Sequence, residues 1–250
     1  MTLFASVAAD YARYRPGIPD EAVRLLGETL DGCDRPTPLD LGSGTGQVPA
    51  ALLPAVPRIA RVDQDSGMVR FAAGPIRPLD GQTAVVFHAV PAETFTLGMA
   101  DRVTSPTATV AVMGDGSLWT HEARWTGALK ALLQSYLGDG RRAGTSGAYA
   151  EPSSRYEDDL AESAFGKVTE HRFPVHRAWT PDQVVGYLRS TSFARPALFH
   201  EPGTPPGQAG CRHARFEREA RVLREEYVHG EGLVEDAVFT VLLARRGGAV

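Results

Sequence analysis

The fold class this sequence predicts is α/β, a doubly wound and mostly parallel sheet with an antiparallel strand at its carboxy-terminal edge. Three observations predict it. Residues 38–46 read Pro-Leu-Asp-Leu-Gly-Ser-Gly-Thr-Gly, a short apolar run followed by Gly42, Gly44 and Gly46 on alternate positions. Asp63 closes the next apolar run, Arg58–Val62, at the carboxyl end of what is then a second strand. Strand-like and helix-like segments alternate through His88, and such alternation winds into right-handed βαβ units on a parallel sheet.

Each element has its own local reason. Phe4 to Arg15 is an amphipathic start that Pro16-Gly17-Ile18-Pro19 breaks. Pro19, Asp20 and Glu21 suit a first helical turn, and Ala22, Val23, Leu25, Leu26 and Leu30 supply its apolar face. Pro38–Leu41 reads as a buried strand, followed by a helix over about 48–53 and a second strand at Arg58–Val62. Ser66 is the expected cap of a helix over Gly67–Ala72. A Pro/Gly loop at 74–81 precedes a third strand, Thr83–His88.

The second half opens on an apolar strand, Ala108–Met113, ending in Gly114-Asp115-Gly116. A helix over roughly 120–137 carries Trp125, Leu129, Leu132, Leu133 and Leu137 at helical spacing. Gly138 to Ser154, rich in Gly, Ser and Arg, reads as a loop or lid. A short helix at Tyr156–Ser163 and a strand at Val168–Arg172 follow. Thr180 is the expected N-cap and Pro181 the first residue of a helix to about Leu188. After a Pro/Gly loop at 202–210, a charged helix spans about 212–228 and the last strand is Ala237–Ala244, so two late strands flank that helix.

Length and composition bound the function. At 250 residues with 43% apolar content the chain suits one domain, 1–250, with residues 1–30 as an N-terminal helical cap and about 116–165 as a helical lid insertion. Net charge is −4, the isoelectric point is near 6.0, and no run of Lys or Arg stands out, which disfavours a nucleic-acid partner. Cys33 and Cys211 make neither a metal-ligand spacing nor a disulfide framework. No apolar stretch approaches the roughly 18 residues of a membrane span, and no basic-then-apolar signal opens the chain. A cytoplasmic enzyme acting on a small molecule, as monomer or homodimer, is the expectation.

Strand, glycine turn, helix, strand and acid, in that order, point to a bound nucleoside, because the glycines admit a ligand that side chains would exclude and the acid can accept from ribose hydroxyls. The dinucleotide pattern Gly-x-Gly-x-x-Gly is absent. Asp40-Leu41-Gly42-Ser43-Gly44-Thr45-Gly46 instead resembles motif I of the class I S-adenosylmethionine (SAM)-dependent methyltransferases, whose fold is Rossmann-like. The resemblance implies that this turn faces the methionine and ribose part of SAM, through Asp40, Gly42, Ser43, Gly44 and Gly46. Phe4-Ala5-Ser6-Val7-Ala8-Ala9-Asp10-Tyr11 with Arg15-Pro16 is similar to the opening of many small-molecule members, where the segment closes over the cofactor and Tyr11 would meet its carboxylate. Asp63-Gln64-Asp65-Ser66-Gly67-Met68 resembles the segment after the second strand. It implies that Asp63 holds both ribose hydroxyls, beside Gln64, and that Met68 packs on the adenine. Ala92-Glu93 matches the pair that flanks the adenine, although Pro91 stands where relatives often carry Asp. The motifs cover residues 4–95, and the remainder is similar in architecture only.

One segment departs from that pattern. Between Glu93 and Ala108 the family needs a further strand and a crossover, yet a crossover alone takes about a dozen residues. Either a central strand has been lost or residues are missing from the chain as written. Methyl transfer from a sulfonium needs positioning above all, with a base only where the nucleophile must be deprotonated. The candidates lie after the Ala108–Met113 strand: Asp115, Trp119, His121 and Glu122, with His121 as general base because an imidazole titrates near neutrality. Arg141, Arg142 and Tyr149 could hold an acidic or phenolic substrate. The expected function is methyl transfer from SAM to a small molecule of specialised metabolism. The alternatives are a non-methylating step such as cyclisation, or a degenerate SAM-binding protein.

Overall fold

The computed structural model of the chain describes residues 7–31, 33, 36–72, 84–88, 108–142, 149, 153–199, 208–228 and 232–246. Helices α1 (Ala8–Tyr14) and α2 (Asp20–Glu28) come first, and Pro19 stands at the N-cap of α2 rather than inside it. Strand β1 (Leu39–Leu41) runs into the glycine turn. Gly46, at φ +86°, then starts helix α3 (Gln47–Leu52), which tightens into a 3₁₀ turn at Leu53–Ala55. Pro49 fits because it lies in the first turn, where an amide has no intrahelical partner to lose. Strand β2 (Arg58–Val62) has the predicted bounds. Helix α4 (Ser66–Ala72) begins one residue early because Asp65, not Ser66, caps it. Asp65 Oδ1 accepts from the amides of Gly67 at 2.8 Å and Met68 at 3.3 Å.

β1, β2 and β3 (Ala84–His88) form a parallel sheet in that order, with Asp40 opposite Arg61 and Val62 opposite His88. The second sheet is wholly antiparallel, in the order β4 (Thr109–Gly114), β6 (Val234–Arg245), β5 (Lys167–Ala178). The fold is α/β, but two sequence expectations need correction. The described strands make two three-stranded sheets, so half of them, not one edge, are antiparallel. The carboxy-terminal strand is also central rather than peripheral.

The residues explain that exchange of places. β6 reads Val-Phe-Thr-Val-Leu-Leu-Ala over 238–244, and Val241, Leu242, Leu243 and Ala244 are all buried, so both of its faces are covered. β5 alternates half-buried with exposed residues, carries Lys167, Glu170, Arg172 and His176, and includes Pro174, features that an outer strand tolerates. It also runs six residues beyond the expected Arg172, since register with β6 continues through Ala178 opposite Val234.

Helices α5 (Arg124–Leu137), α6 (Tyr156–Ala161), α7 (Pro181–Arg189) and α8 (Gln208–Val228) complete the fold, with a 3₁₀ turn at Pro196–Phe199. α5 starts four residues later than expected, because Ser117 O takes the amides of Thr120 and His121 in a turn. α7 has the predicted cap. Thr180 accepts from the Gln183 amide at 3.2 Å and Gln183 Oε1 accepts from the Thr180 amide at 2.7 Å, a capping box.

Two cores hold these layers. Ala22, Leu26, Leu52, Val56 and Ile59 pack with Phe239, Val241 and Leu243, so α2 and α3 bind the parallel sheet to β6. Trp125, Leu129, Leu133, Val184, Leu188, Phe199 and Phe216 form the other, among α5, α7 and α8. Helix α1 docks on α7. Arg15 Nε donates to Ser190 Oγ at 3.0 Å and its Nη2 to Ser190 O at 3.2 Å, while the guanidinium lies 4.8 Å from the Tyr187 ring centre.

Tyr14 fills the space that the missing side chain of Gly186 leaves on α7, for a Cβ there would sit 2.1 Å from Tyr14 Cδ2. Two effects then compete in Gly186→Ala. Helix propensity favours alanine by about 1 kcal/mol, whereas overpacking costs about 1–3 kcal/mol. The contact wins, because rigid ring atoms meet the new methyl. Urea denaturation should find Gly186→Ala destabilised by about 1 kcal/mol or more, and stabilised by up to about 1 kcal/mol when Tyr14→Ala is already present. Equal stability of Gly186→Ala and the parent would show that Tyr14 does not dock there.

Candidate functional site

The site is assembled where β1 and β2 end side by side. Gly42 and Ser43 both donate their amides to Val62 O, at 2.9 and 3.0 Å, which folds the chain back across the end of β2. Gly44 follows at φ +51°, a left-handed conformation that β-branched residues avoid, and a Cβ on it would lie 3.4 Å from the Tyr11 ring. The peptide groups before and after its Cα are each gripped by a side chain. Asp63 Oδ2 accepts the Gly44 amide at 2.7 Å, and Arg61 donates to Gly44 O at 3.1 Å and to Ser43 Oγ at 3.3 Å. The second oxygen of Asp63 accepts the Asp65 amide at 2.8 Å. Asp63 therefore shapes the turn, and each oxygen retains lone-pair capacity for a ligand hydroxyl.

Arg61 was not among the residues expected from sequence. It is fully buried, at 0% exposure, in the centre of the parallel sheet. A single interior cation within Arg-Ile-Ala-Arg-Val was the available signal, since arginine is almost never fully buried without a partner. Asp40, its register partner on β1, is pushed up to about 6 by burial. The Arg61 charge works against that rise and the Asp63 charge adds to it. Oδ2 of Asp40 is buried and has no hydrogen-bond partner among the described residues, nor does Thr45 Oγ1. Buried orphans of this kind mark a place where a further group is to be satisfied.

α1 lies above the turn. Tyr11 rests its ring against Gly44, Arg15 lies 4.9 Å from the Tyr11 ring centre, and Gln47 Nε2 donates to Arg15 O at 3.3 Å. Asp40, Ser43, Gly44, Gly46, Asp63 and Tyr11 are thus brought together with Gly42 in one place. Gln64 is exposed beside them, whereas Met68 is 2% exposed and packs inside the protein rather than on an open wall. Ala92 and Glu93 lie outside the described residues, as does the short segment from Thr94 to Thr107.

Beyond β4 a second polar cluster forms. Arg177 donates to both oxygens of Asp115, at 3.1 and 3.0 Å, and to Glu235 Oε2 at 3.3 Å. Trp179 Nε1 donates to the same Glu235 oxygen at 2.9 Å. Burial raises the Asp115 carboxyl, with Arg177 opposing, and burial likewise raises the Tyr187 phenol. His121 is bound into the start of α5, because its Nδ1 accepts the Ala123 amide at 3.4 Å and lies 3.4 Å from Thr126 Oγ1. Nδ1 is thereby turned to the start of the helix. Trp119 is half-buried on Phe193, and Glu122 is exposed. His176 is exposed, 2.7 Å from Asp236.

The chain matches no family model and no curated protein. Among solved structures it is similar to a SAM-dependent methyltransferase from Geobacter sulfurreducens in complex with S-adenosyl-L-homocysteine, at 15% identity and a TM-score of 0.46, over 95% of this chain and 96% of that one. A SAM-dependent methyltransferase from Thiobacillus denitrificans, also in complex with S-adenosyl-L-homocysteine, is similar at 16% identity and a TM-score of 0.43, over 96% and 97% of the two chains. A cyclopropane synthase from Mycobacterium tuberculosis is similar at 11% identity and a TM-score of 0.42, over 90% and 83%. These likenesses are distant in sequence and in superposition, and the reading below rests on this chain's residues.

The buried Asp40 carboxyl has a consequence for stability. Between the ordinary carboxyl value, 3.8, and about 6 the unfolded chain has released a proton that the folded protein keeps, so stability falls as pH rises through that window. Asp40→Asn abolishes this titration. Relative to the parent, that variant should gain about 2 kcal/mol between pH 4 and pH 7, read by urea denaturation at both values. A constant difference between the two proteins would place Asp40 in solvent.

Proposed function

We propose that this protein transfers a methyl group from SAM to a small-molecule acceptor. The observation that carries the reading is the Gly44 turn, held by Asp63 at the carboxyl ends of two parallel strands and roofed by Tyr11. Ligands of open α/β sheets bind at that edge. The residues present suit SAM: an orphaned buried carboxylate oxygen on Asp40, lone pairs left on Asp63 for ribose hydroxyls, and a glycine where a side chain would fill the cradle. SAM, when bound, supplies a methyl group on a sulfonium, a carbon already activated for in-line displacement.

The chain's own residues do the remaining work. Asp63 and Gly44 fix the ribose end, and Asp40, ionised above about pH 6, complements a cationic amino acid end. Tyr11 and Arg15 exclude water from above. His121 Nδ1 is engaged at the start of α5, and methyl transfer from a sulfonium can proceed by positioning, with a base only where the acceptor must be deprotonated. In this reading both three-stranded sheets belong to one Rossmann-like layer, with the edges β1 and β4 turned toward each other and β3 and β5 outermost. Residues 1–30 then serve as the cap and about 116–165 as the lid of a cytoplasmic enzyme, monomer or homodimer.

Calorimetric titration with SAM tests this directly. Charge-assisted hydrogen bonds contribute about 1.5–3 kcal/mol, so Asp63→Ala should weaken SAM tenfold or more. Gly44→Val should abolish binding while thermal unfolding still reports a folded protein. Unchanged affinity in both variants would sink the site. A methyl-transfer assay on a metabolite panel then separates the readings: SAM binding without any transfer would favour a non-methylating or degenerate SAM-binding protein.

A further inference from the structure

A second group of residues is built for a ligand of its own. Trp119 follows β4 on its carboxyl side, and its ring centre lies 5.4 Å from that of Phe193. Lys130 Nζ stands 5.0 Å from the centre of the Trp119 ring. On the other side, the Arg141 guanidinium lies 5.8 Å from the Phe193 ring centre and 4.4 Å from that of Tyr149. The Tyr149 amide donates to Arg141 O at 2.9 Å, which ties Tyr149 to this place. Two cations and three aromatic rings thus form one continuous arc, with Tyr149 41% exposed at its outer end.

Among the described residues, the two cations of the arc are not neutralised by carboxylates, unlike many others on this chain. Arg24, Arg155, Arg172, Arg177, Arg189, Arg215 and Arg221 each meet a carboxylate. Among the described residues no carboxylate pairs with Lys130 or Arg141, although the whole chain carries a net charge of −4. Arg141 Nε is moreover buried without a hydrogen-bond partner among the described residues. A desolvated guanidinium N–H without an acceptor costs free energy unless a ligand oxygen supplies one. The crevice beneath Trp119, Lys130 and Phe193 has only about 10 Å³ of free space, so a ligand lies on the arc rather than under it.

We propose that this arc binds an aromatic carboxylate, and that such a molecule is the class of acceptor the enzyme methylates. The carboxylate meets the edge of Arg141 and the ammonium of Lys130, and the ring lies against Tyr149 and the open part of Trp119, with the buried Phe193 bracing Trp119 and Arg141 from beneath. The acceptor role rests on the methyl-transfer reading; the binding site does not.

The test is a titration of the unmodified protein with 2-naphthoate and with its neutral isostere 2-naphthamide, followed by calorimetry. Naphthoate should bind at least tenfold more tightly than naphthamide. Arg141→Gln should abolish that preference and Lys130→Gln weaken naphthoate about threefold, with SAM affinity unchanged within twofold in both. Equal binding of acid and amide by the parent overturns the proposal, without reliance on any variant. So does naphthoate affinity unaltered by Arg141→Gln. Naphthoate binding by a protein that ignores SAM would leave the anion site standing and overturn methyl transfer. SAM binding without a carboxylate preference would do the reverse.

Discussion

A guanidinium removed from water has to be answered by charge and by hydrogen-bond acceptors, and in this chain that constraint falls on the very atoms that shape the glycine turn. Arg61 is completely buried, with Asp40 opposite it in register and the oxygens of Ser43 and Gly44 receiving its Nη2. Removing one partner of a buried pair typically costs about 3–5 kcal/mol, because the other is left desolvated and alone. Asp63 adds the complementary grip, since it takes the Gly44 amide while Arg61 takes the Gly44 carbonyl. The two peptide groups that flank the Gly44 Cα are therefore held by two opposite charges, one each. Burial works on all of this, raising the Asp40 carboxyl and lowering the Arg61 guanidinium, with each charge partly restoring the other.

From Gly44 a line of contacts crosses the molecule. Tyr11 touches Gly44, and Arg15 lies between the rings of Tyr11 and Tyr187 while holding Ser190. Cation–π contacts contribute about 0.5–2 kcal/mol each, so this stack is a modest fastener rather than a weld. Tyr14 seated against Gly186, and Arg189 reaching Asp10 at 4.0 Å, fasten the same two helices. Tyr187 in turn meets Trp179 edge-on at 5.4 Å, and Trp179 shares Glu235 with Arg177. The cap over the turn and the polar cluster beyond β4 are thus borne by one helix, α7.

α7 can bear both because its other surroundings are rigid. Its Thr180–Gln183 capping box satisfies the amides at its start, Arg189 forms a fork on Glu217 of α8, and Val184, Tyr187 and Leu188 are buried in the helical core. On the far side of β6, α2 and α3 pack on Val241 and Leu243. β6 is consequently the strand on which both layers close, which suits its unbroken apolar run.

Local rules were enough for much of this. The bounds of β2, the cap of α7, the glycine turn with Asp63 and the break at Pro16–Pro19 are all legible in the residues, because turn chemistry, capping and hydrophobic period act within a few positions. Nearly all of the cofactor-side candidates that are described accordingly fall in one place. What the tertiary structure alone decided involves partners far apart in the chain. That β6 is central and β5 outermost depends on pairing across some 60 residues, and β5 continues through Pro174 only because β6 is there to meet it. Met68 turned inward when α4 packed on the rest of the protein, whereas the choice of Asp65 over Ser66 as its cap was local, between two neighbouring side chains that could each accept. Arg61 between two acids, Tyr14 against Gly186 and the inward Nδ1 of His121 follow from packing and desolvation, which exist only after distant segments have met.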